Sequence, residues 1–423
     1  MSFRDHLSSA VTLGPSTLEI GELPALSKAH EHRPLLLESS DSQIPCRTAL
    51  NICQESVMAE SMSITSVELV ELVGWAIENP QEPENVDNGV SSVLENTLEN
   101  PDLSHWPIPH YYAIDAGRYL TSAMVFVTHQ GISNASFHRM LVLDERHMVA
   151  RLVPRHLHRI VHENRAQGDE TQIAIVIGAD PTVLLAAAIS FDFDQEEASV
   201  AAAMHQRGYG KSLELTRLSN GILVPAHSEM VLEAVVLTED CEEGPFVDIT
   251  GTVDDLRMQP MIRVDRIHHR DEPIFHALIP AGIEHRTLMG LPRSPTIKAE
   301  VDKVSTCLDV RLTTAGSGWL SAVVSIEQAT PGEAVAAIHA AFRGHPSMKK
   351  VVIVDGDIDI GSLEEVEWAV LTRAQPDRDH IVLSEQRGSS LDPSRYSDGT
   401  TSKLGIDATI PFGEPTAPYR RYV

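Results

Sequence analysis

The stretch "AMVFVTHQGISNASFHRMLVLDERHMVARLV", residues 123–153, decides the predicted fold. The apolar runs at its two ends are rich in β-branched and aliphatic residues, which is typical of buried strands. Between them, the small and polar residues of "GISNASFHRM", 131–140, predict a turn. This turn offers an amide at Asn134, a hydroxyl at Ser136 and a guanidinium at Arg139, although an asparagine at a turn most often serves only its own backbone.

The strand-rich pattern around this stretch extends from about residue 106 to 290. Within it we predict a helix over "RHLHRIVHENRA" and a second over "PTVLLAAAIS". In the second helix Asp180 can cap the first turn and Pro181 can occupy the first helical position. The region is therefore expected to be mainly β-structure with a few inserted helices.

From residue 297 to about 385 the predicted order is strand, strand, helix, strand, helix and strand, beginning with "IKAEVDK" at 297–303. Such alternation is typical of an α/β domain. The following stretch, to residue 413, is rich in Gly and Ser and predicts a loop. Residues 1–105 mix strand-like and helical pieces, including a helix over "SVELVELVGWAIENP" that ends before Pro80. The chain as a whole is predicted to be of the mixed α/β (α+β) class.

Composition and charge limit the classes of function. The 423 residues carry a formal net charge of -27, which disfavours general binding to nucleic acid or anionic lipid because phosphate contacts require a basic surface. No apolar run approaches the roughly 18 residues of a membrane span, and no secretory signal is recognisable, so we expect a cytoplasmic protein. The four cysteines lack CxxC spacing and are expected to be reduced and mostly buried: Cys46, Cys53, Cys241 and Cys307.

Three residues could form a metal site if folding brings them together. Asn134, His156 and Glu197 make a mixed amide, imidazole and carboxylate set that suits Mn²⁺ or Mg²⁺ better than structural zinc. A lone histidine is more often a core or surface residue, and an acidic cluster such as "SFDFDQEEAS" is more often a solvated loop. Both interpretations stay open at this point.

A second constellation lies in "EDCEEGPFVDITG", where Glu243 and Asp248 flank a Gly-Pro pair that bends the chain. Both carboxylates could then face one cavity near a guanidinium such as that of Arg139. When one arginine binds two carboxylates, one of them can remain ionised while the other serves as a proton donor. Charged decoration of a turn is the alternative. The common nucleotide-binding and acyl-transfer motifs, namely the Walker loop, GxGxxG after a strand and GxSxG, do not occur in the sequence.

Read in order, several segments between about residues 106 and 410 resemble the UbiD family of reversible decarboxylases that depend on prenylated FMN. The matching segments are "NASFHR", "VPRHLHRI", "VPAHSEMVLEA", "EEGPFVDITG", "VVIVDGDIDIGSLEEVEWAVLTRAQPDRD" and "SKLGIDAT". The resemblance implies an N-terminal α/β region at 1–105, a central split β-barrel that binds the flavin at 106–290, a C-terminal α/β oligomerisation domain at 291–400, and a tail at 401–423 that contributes to the cofactor site. It also implies a homodimer or higher homo-oligomer.

The resemblance further implies the cofactors and their ligands. A divalent metal, usually Mn²⁺, would be bound by Asn134, His156 and Glu197, with Glu196 as the competitor of Glu197, and K⁺ or Na⁺ would lie nearby. The prenylated FMN would come from a flavin prenyltransferase acting as supplier. The residues expected to contact this cofactor are Asn134, Ser136, Arg139, Arg155, His156 and Lys403.

The catalytic residues implied by the resemblance are Arg139, Glu243 and Asp248. The cofactor would accept the electron pair left by CO₂, a step for which no side chain is suited, and Asp248 would return a proton. In the ferulic acid decarboxylase branch the second acid is glutamate, so the shorter Asp248 changes the reach of the donor. Because all three positions hold competent residues, an enzyme is favoured over a non-catalytic flavin-binding protein.

The substrate implied by the resemblance is a small carboxylic acid. The short, acidic, lysine-poor chain resembles archaeal members, some of which decarboxylate trans-anhydromevalonate 5-phosphate for isoprenoid synthesis, and this acid is the leading prediction. An aromatic acid of the hydroxybenzoate type, as used in quinone synthesis, is the alternative. A phosphorylated substrate would need cations, for which we consider Arg151, Arg155, Arg286 or His138.

Overall fold

The stretch 123–153 folds into two antiparallel hairpins, and its turn is much shorter than predicted. The computed structural model describes residues 2–39, 44–191 and 195–422. Only Gln130 and Gly131, with φ values of 52° and 86°, form the first turn, as expected for a tight two-residue hairpin. The prediction of a turn over 131–140 is wrong, because the small polar residues from Ile132 to Phe137 pair with the preceding strand.

The chain divides into two compact units, Met1–Leu288 and Met289–Val423. The strands of the first unit are β1 Val11–Leu13, β2 Leu35–Leu37, β3 Arg47–Leu50, β4 Glu84–Asn85, β5 Asn96–Leu98, β6 Tyr119–Leu120, β7 Met124–His129, β8 Ile132–Phe137, β9 Met140–Val142, β10 His147–Ala150, β11 Thr171–Ile177, β12 Glu214–Arg217, β13 Leu223–Pro225, β14 Met230–Glu243, β15 Phe246–Val247, β16 Val253–Asp254, β17 Arg257–His269 and β18 Ile274–His276. Its helices are α1 Glu22–Ala29, α2 Glu55–Ser61, α3 Ser66–Glu78, α4 His156–Ala166, α5 Pro181–Ala188, α6 Glu197–Tyr209 and α7 Ile283–Gly290, the last of which ends just past the unit boundary.

Nine of the described strands form one antiparallel sheet at the centre of the first unit. Their order is β6-β9-β10-β17-β14-β11-β7-β8, with β5 paired to β17. β11 and the mostly apolar first half of the long strand β14 lie in the middle of this order, and residues such as Ile175 and Leu232 are almost completely buried. Smaller sheets join β1-β2-β3-β18, β13-β12-β4 and β15-β16. Helices α4, α5 and α6 contact β8, the strand at one end of the central sheet.

The helices predicted for this unit are confirmed. α3 ends at Glu78, two residues before Pro80, and α4 covers the "HLHRIVHENRA" segment. At α5 the carboxylate of Asp180 accepts a hydrogen bond from the backbone N–H of Thr182, and Pro181 is the first helical residue. These local signals depend on side chains that satisfy the free N–H groups of a first turn, which is why they could be recognised from sequence.

The second unit contains α8 Arg293–Val301, α9 Glu333–Gly344, α10 Leu363–Arg373 and α11 Pro376–Asp379, with strands β19 Thr306–Leu312, β20 Ser321–Glu327, β21 Lys350–Asp355, β22 His380–Arg387 and β23 Thr400–Asp407. Its sheet has the order β19-β20-β21-β23-β22 and is parallel from β20 to β23. Neighbouring residues such as Val352 and Ile353 are both buried, on opposite faces of the sheet. This two-sided burial explains the continuous apolar runs.

Two predictions for this unit are wrong. "IKAEVDK" is not a strand: Ile297 and Val301 lie four residues apart on one face of α8 and are both fully buried. Because Ile297, Ala299 and Val301 are spaced two residues apart, they also fit the alternation of a strand. The pattern alone therefore does not distinguish a helix from a strand. The tail is not all loop either, because β23 pairs with both β21 and β22. The many Gly and Ser residues before Thr400 obscured this strand.

Close packing between α9 and β23 gives a stability prediction. A Cβ added at Gly405 would overlap Cγ2 of the fully buried Ile338. We expect Gly405→Ala to lower the free energy of unfolding by about 1–3 kcal/mol, as other overpacked cores do, in urea denaturation followed by circular dichroism. Gly89→Ala is the control, since nothing lies within 4 Å of a Cβ there. Equal midpoints for the two variants would contradict this packing argument.

The mixed α/β architecture confirms the predicted fold class. The finer division at residues 105, 290 and 400 stays a prediction. Within the described ranges, every helix is too short or too polar to cross a lipid bilayer.

Candidate active site

Three side chains predicted as metal ligands meet beside the β8 end of the central sheet. Asn134 lies on β8, His156 is the first residue of α4 and Glu197 is the first residue of α6. The amide nitrogen of Asn134 donates to Oε1 of Glu197 at 2.9 Å and lies 3.3 Å from Nδ1 of His156. The backbone N–H of Ala135 donates to Oε2 of Glu197, also at 2.9 Å. An amide, an imidazole and a carboxylate are thus assembled in one place.

The competing residue, Glu196, faces the neighbouring backbone instead. Its Oε1 accepts a hydrogen bond from the N–H of Ser133 at 2.8 Å. Glu197 is only 4% exposed, and burial, assisted by the nearby charge of Glu196, raises the pKa of Glu197 to about 7. Among the described residues, Oδ1 of Asn134 is buried without a hydrogen-bond partner. A buried acceptor beside a carboxylate in need of a counter-charge fits a divalent cation.

The predicted catalytic trio also converges, around the guanidinium of Arg139. Nε and one terminal nitrogen of Arg139 donate to the two carboxylate oxygens of Glu243 at 2.9 and 3.0 Å. The other terminal nitrogen bonds Oδ2 of Asp248, whose Oδ1 accepts from the N–H of Ile249 at 2.6 Å. Glu243 ends β14 and Asp248 follows β15, so the bend between these strands brings both acids to one guanidinium.

Burial and the neighbouring charges have opposite effects on the pKa of Arg139. Burial opposes the charge on Arg139, but the hydrogen bonds and charge of Glu243, followed by Asp248 and Asp254, outweigh it and raise the pKa of Arg139. The ring of Phe246 lies 4.6 Å from the guanidinium carbon, in position for a cation–π contact. Tyr119 donates to Oε1 of Glu243 at 3.3 Å. The cluster is therefore a permanently charged arginine enclosed by acids and aromatic rings.

Two neighbours of this cluster were missed from sequence. Asp254, at the end of β16, accepts a hydrogen bond from Arg139 at 2.8 Å. Its position six residues after Asp248 in the same loop-rich segment was an available signal. His285 on α7 accepts from the N–H of Ala281 at 3.2 Å, and burial lowers the pKa of His285 against the opposing charge of Asp248. Nothing in its local sequence pointed to the site.

The remaining predicted contacts have ordinary local partners. Ser136 hydrogen-bonds Nε2 of His138 at 3.0 Å, and burial lowers the pKa of His138 to about 4, which disfavours its cationic form. Arg155 is the residue before α4 and bonds the hydroxyl of Ser190. Lys403 belongs to the second unit, on β23, where its ammonium donates to the carbonyl of Pro346 at 2.5 Å.

A second group of ligand-type side chains is structural. Cys53, His276 and Glu284 are buried close together in the first unit. The carboxylate of Glu284 already accepts bonds from the N–H groups of Asn51, Ile52 and Cys53 and from His276, at 2.8–2.9 Å. Burial also raises the pKa of the Cys53 thiol well above its usual range.

Comparison with known proteins places the chain in a family. The model for the 3-octaprenyl-4-hydroxybenzoate carboxy-lyase Rift-related domain, UbiD, matches residues 84–283, and the model for the C-terminal domain of the same family matches residues 286–408. The chain belongs to the UbiD family. The predicted family is confirmed, and the protein is a UbiD-family decarboxylase.

Individual relatives agree with this assignment. The anhydromevalonate phosphate decarboxylase of Methanocaldococcus jannaschii is 40% identical over 365 residues, 85% of each chain. The structure of the UbiD-class enzyme HmfF from Pelotomaculum thermopropionicum in complex with FMN matches with a TM-score of 0.93 and 32% identity, covering 100% of this chain and 97% of that one. An evolved dimeric form of HmfF in complex with prFMN matches with a TM-score of 0.88 and 31% identity, covering 100% and 97%.

Proposed function

We propose that this protein decarboxylates trans-anhydromevalonate 5-phosphate in isoprenoid synthesis, using prenylated FMN. The observation that carries the proposal is the cluster in which Arg139 holds Glu243 and Asp248, within a chain 40% identical to a decarboxylase named for this substrate. The cluster supports decarboxylation in general, and the relative supports this particular acid.

The cofactor assignment rests on the relatives and on the donor set. Solved relatives bind FMN or prFMN. We assign Mn²⁺, or Mg²⁺, to Asn134, His156 and Glu197, because Oδ1 of Asn134, which is buried and has no hydrogen-bond partner among the described residues, adds an oxygen donor to an imidazole and a carboxylate. K⁺ or Na⁺ is expected nearby. Ser136, Arg155 and Lys403 are proposed cofactor contacts, each by its resemblance to family positions.

Arg139 and the side chains around it have different roles in the proposed reaction. When bound, prenylated FMN supplies the orbital that accepts the electron pair left on carbon as CO₂ departs. Arg139 orients the substrate carboxylate through its planar fork of donors. Glu243, fully buried and bound through both oxygens, is the fixed anion that keeps the guanidinium in place. Phe246 and Tyr119 cover this end of the cluster and exclude water.

Asp248 is the proposed general acid. Its side chain is 15% exposed, compared with 0% for Glu243, and it contacts Arg139 through one oxygen only. It can therefore exchange a proton with solvent between turnovers and deliver that proton to the carbon that CO₂ leaves. In the reverse direction the same carboxylate takes the proton away.

The assay that tests this function uses protein produced together with a flavin prenyltransferase, the proposed supplier of the cofactor. We expect CO₂ release from trans-anhydromevalonate 5-phosphate and little release from a panel of hydroxybenzoates. Turnover of the hydroxybenzoates instead would establish an aromatic acid decarboxylase. No turnover of any acid by flavin-loaded protein would leave a non-catalytic flavin-binding protein.

A homodimer or higher homo-oligomer and a cytoplasmic location complete the proposal. One solved relative is described as a dimeric form, which supports self-association of this chain. The net charge of -27 supports the expectation that neither nucleic acid nor an anionic membrane is a partner.

A further inference from the structure

We propose that Arg151 and Arg257 bind the phosphate group of the substrate, beside the arginine that holds its carboxylate. The inference rests on the proposed function, since it concerns a substrate with two anionic ends. It identifies the residues that would distinguish a phosphorylated alkenoic acid from an acid without phosphate.

The first observation is that three guanidiniums surround one carboxylate. Asp254 accepts from Arg139 at 2.8 Å and from one terminal nitrogen of Arg257 at 2.7 Å to each oxygen. Nε of Arg151 lies 3.7 Å from the same carboxylate. Arg139 has Glu243 and Asp248 as further partners, whereas Arg151 and Arg257 share Asp254 as their acid. These two arginines therefore share one ion-pair partner, although the charge of Glu243 also acts on Arg151.

The side chain of Arg151 is mostly buried, yet few of its N–H donors have a hydrogen-bond partner among the described residues. Its side chain is 15% exposed, and within the described residues its side chain makes one hydrogen bond, to the carbonyl of Leu152 at 3.3 Å. A guanidinium carries five N–H donors. Burial, followed by repulsion from Arg257, lowers the pKa of Arg151. Such a cation is stabilised by an anionic ligand that accepts its remaining donors.

Arg139, Arg151 and Arg257 are also neighbours in the fold. The backbone N–H of Arg151 donates to the carbonyl of Arg139 at 3.1 Å, so the two arginines lie on adjacent segments of the first unit. Arg257 begins β17 and is paired across strands with Glu243. The three cations therefore line one region, with Arg139 at its acid-rich side. A short molecule with a carboxylate at one end and a phosphate at the other can reach both parts.

A phosphate at this place would contribute to rate as well as to affinity. Binding energy from a part of the substrate that does not react can hold the reacting end in position. Arginine suits the task because its planar donors match phosphate oxygens in pairs. Arg286, another candidate predicted from the sequence, already donates twice to the carbonyl of Ala281, at 2.9 and 2.8 Å. It is thus less available than Arg151.

The test compares two substrates on flavin-loaded enzyme. For Arg151→Gln we expect kcat/KM for trans-anhydromevalonate 5-phosphate to fall roughly tenfold to a hundredfold, the usual effect of losing bonds to a charged group, while the slow turnover of the dephosphorylated acid changes little. Arg257→Gln should likewise lower kcat/KM for the phosphorylated acid and change the turnover of the dephosphorylated acid little. Arg263→Gln is the matched control, because Arg263 is also on β17 but is paired with Asp265 at 2.8 Å.

The outcomes separate this inference from the proposed function. Equal losses on both substrates, no loss on either, or loss of bound flavin from Arg151→Gln and Arg257→Gln would overturn the phosphate site and leave the decarboxylase intact. If the unaltered enzyme releases no CO₂ from the phosphorylated acid, the proposed function fails, and the phosphate site fails with it. Should one variant not fold, the other decides.

Discussion

Replacement of Asp248 by asparagine is expected to slow decarboxylation by about a hundredfold to ten-thousandfold, because the product carbon then lacks its proton donor. The amide keeps the size of the side chain and can still accept a hydrogen bond from Arg139, so the cluster should stay assembled. The measurement is the rate of CO₂ release by purified Asp248→Asn protein whose flavin absorption spectrum matches that of the unaltered enzyme.

Asp255→Asn provides the control for this experiment. Asp255 is an exposed acid in the same segment and makes no side-chain contact with Arg139. It should retain full turnover. If Asp248→Asn also retains full turnover with flavin bound, Asp248 is not the general acid and another group must donate the proton.

Replacement of His156 by alanine should remove the metal and the flavin together. The proposed ion would lose its nitrogen ligand, and the flavin, which is expected to contact Asn134 and His156, would lose one of these contacts together with the positive charge of the ion. We expect Mn²⁺ measured by elemental analysis and flavin measured by absorbance both to fall to a small fraction of the unaltered level. Circular dichroism would verify that the protein remains folded.

His158→Ala is the matched control on the same helix. The ring of His158 contacts His162, with their Nε2 atoms 3.0 Å apart. This control should retain both the metal and the flavin. Retention of both by His156→Ala would remove His156 from the proposed metal site.

The chemistry of the site was more accessible from sequence than its geometry. The types of Asn134, His156 and Glu197 suggested a hard metal, and the bend at Gly-Pro suggested that Glu243 and Asp248 approach an arginine. Their meeting depends on the pairing of strands far apart in the chain, which local patterns do not encode. Resemblance to family segments, rather than periodicity, justified grouping them.

Misses in the prediction have identifiable physical causes. Asp254 is one of several acids in a loop-rich segment, and its contact with Arg139 is created only when β15 pairs with β16. α8 was predicted as a strand because the spacing of Ile297 and Val301 fits both the periodicity of a helix and that of a strand. β23 was missed because its strength comes from two neighbouring strands and from close packing at Gly405, not from an apolar composition of its own.

The pairing of β8 with β7 also limits how this enzyme can change. Asn134 lies on β8 and Arg139 lies between β8 and β9, so the step of five residues between them spans about 17 Å at most. Removing one residue within β8 would shorten this spacer and shift the side chains on one side of the deletion to the opposite face of the strand. Evolution can therefore lengthen the loop at Gln130 and Gly131, but the segment from Asn134 to Arg139 must keep its length for the ion-binding end and the reacting end to serve one molecule.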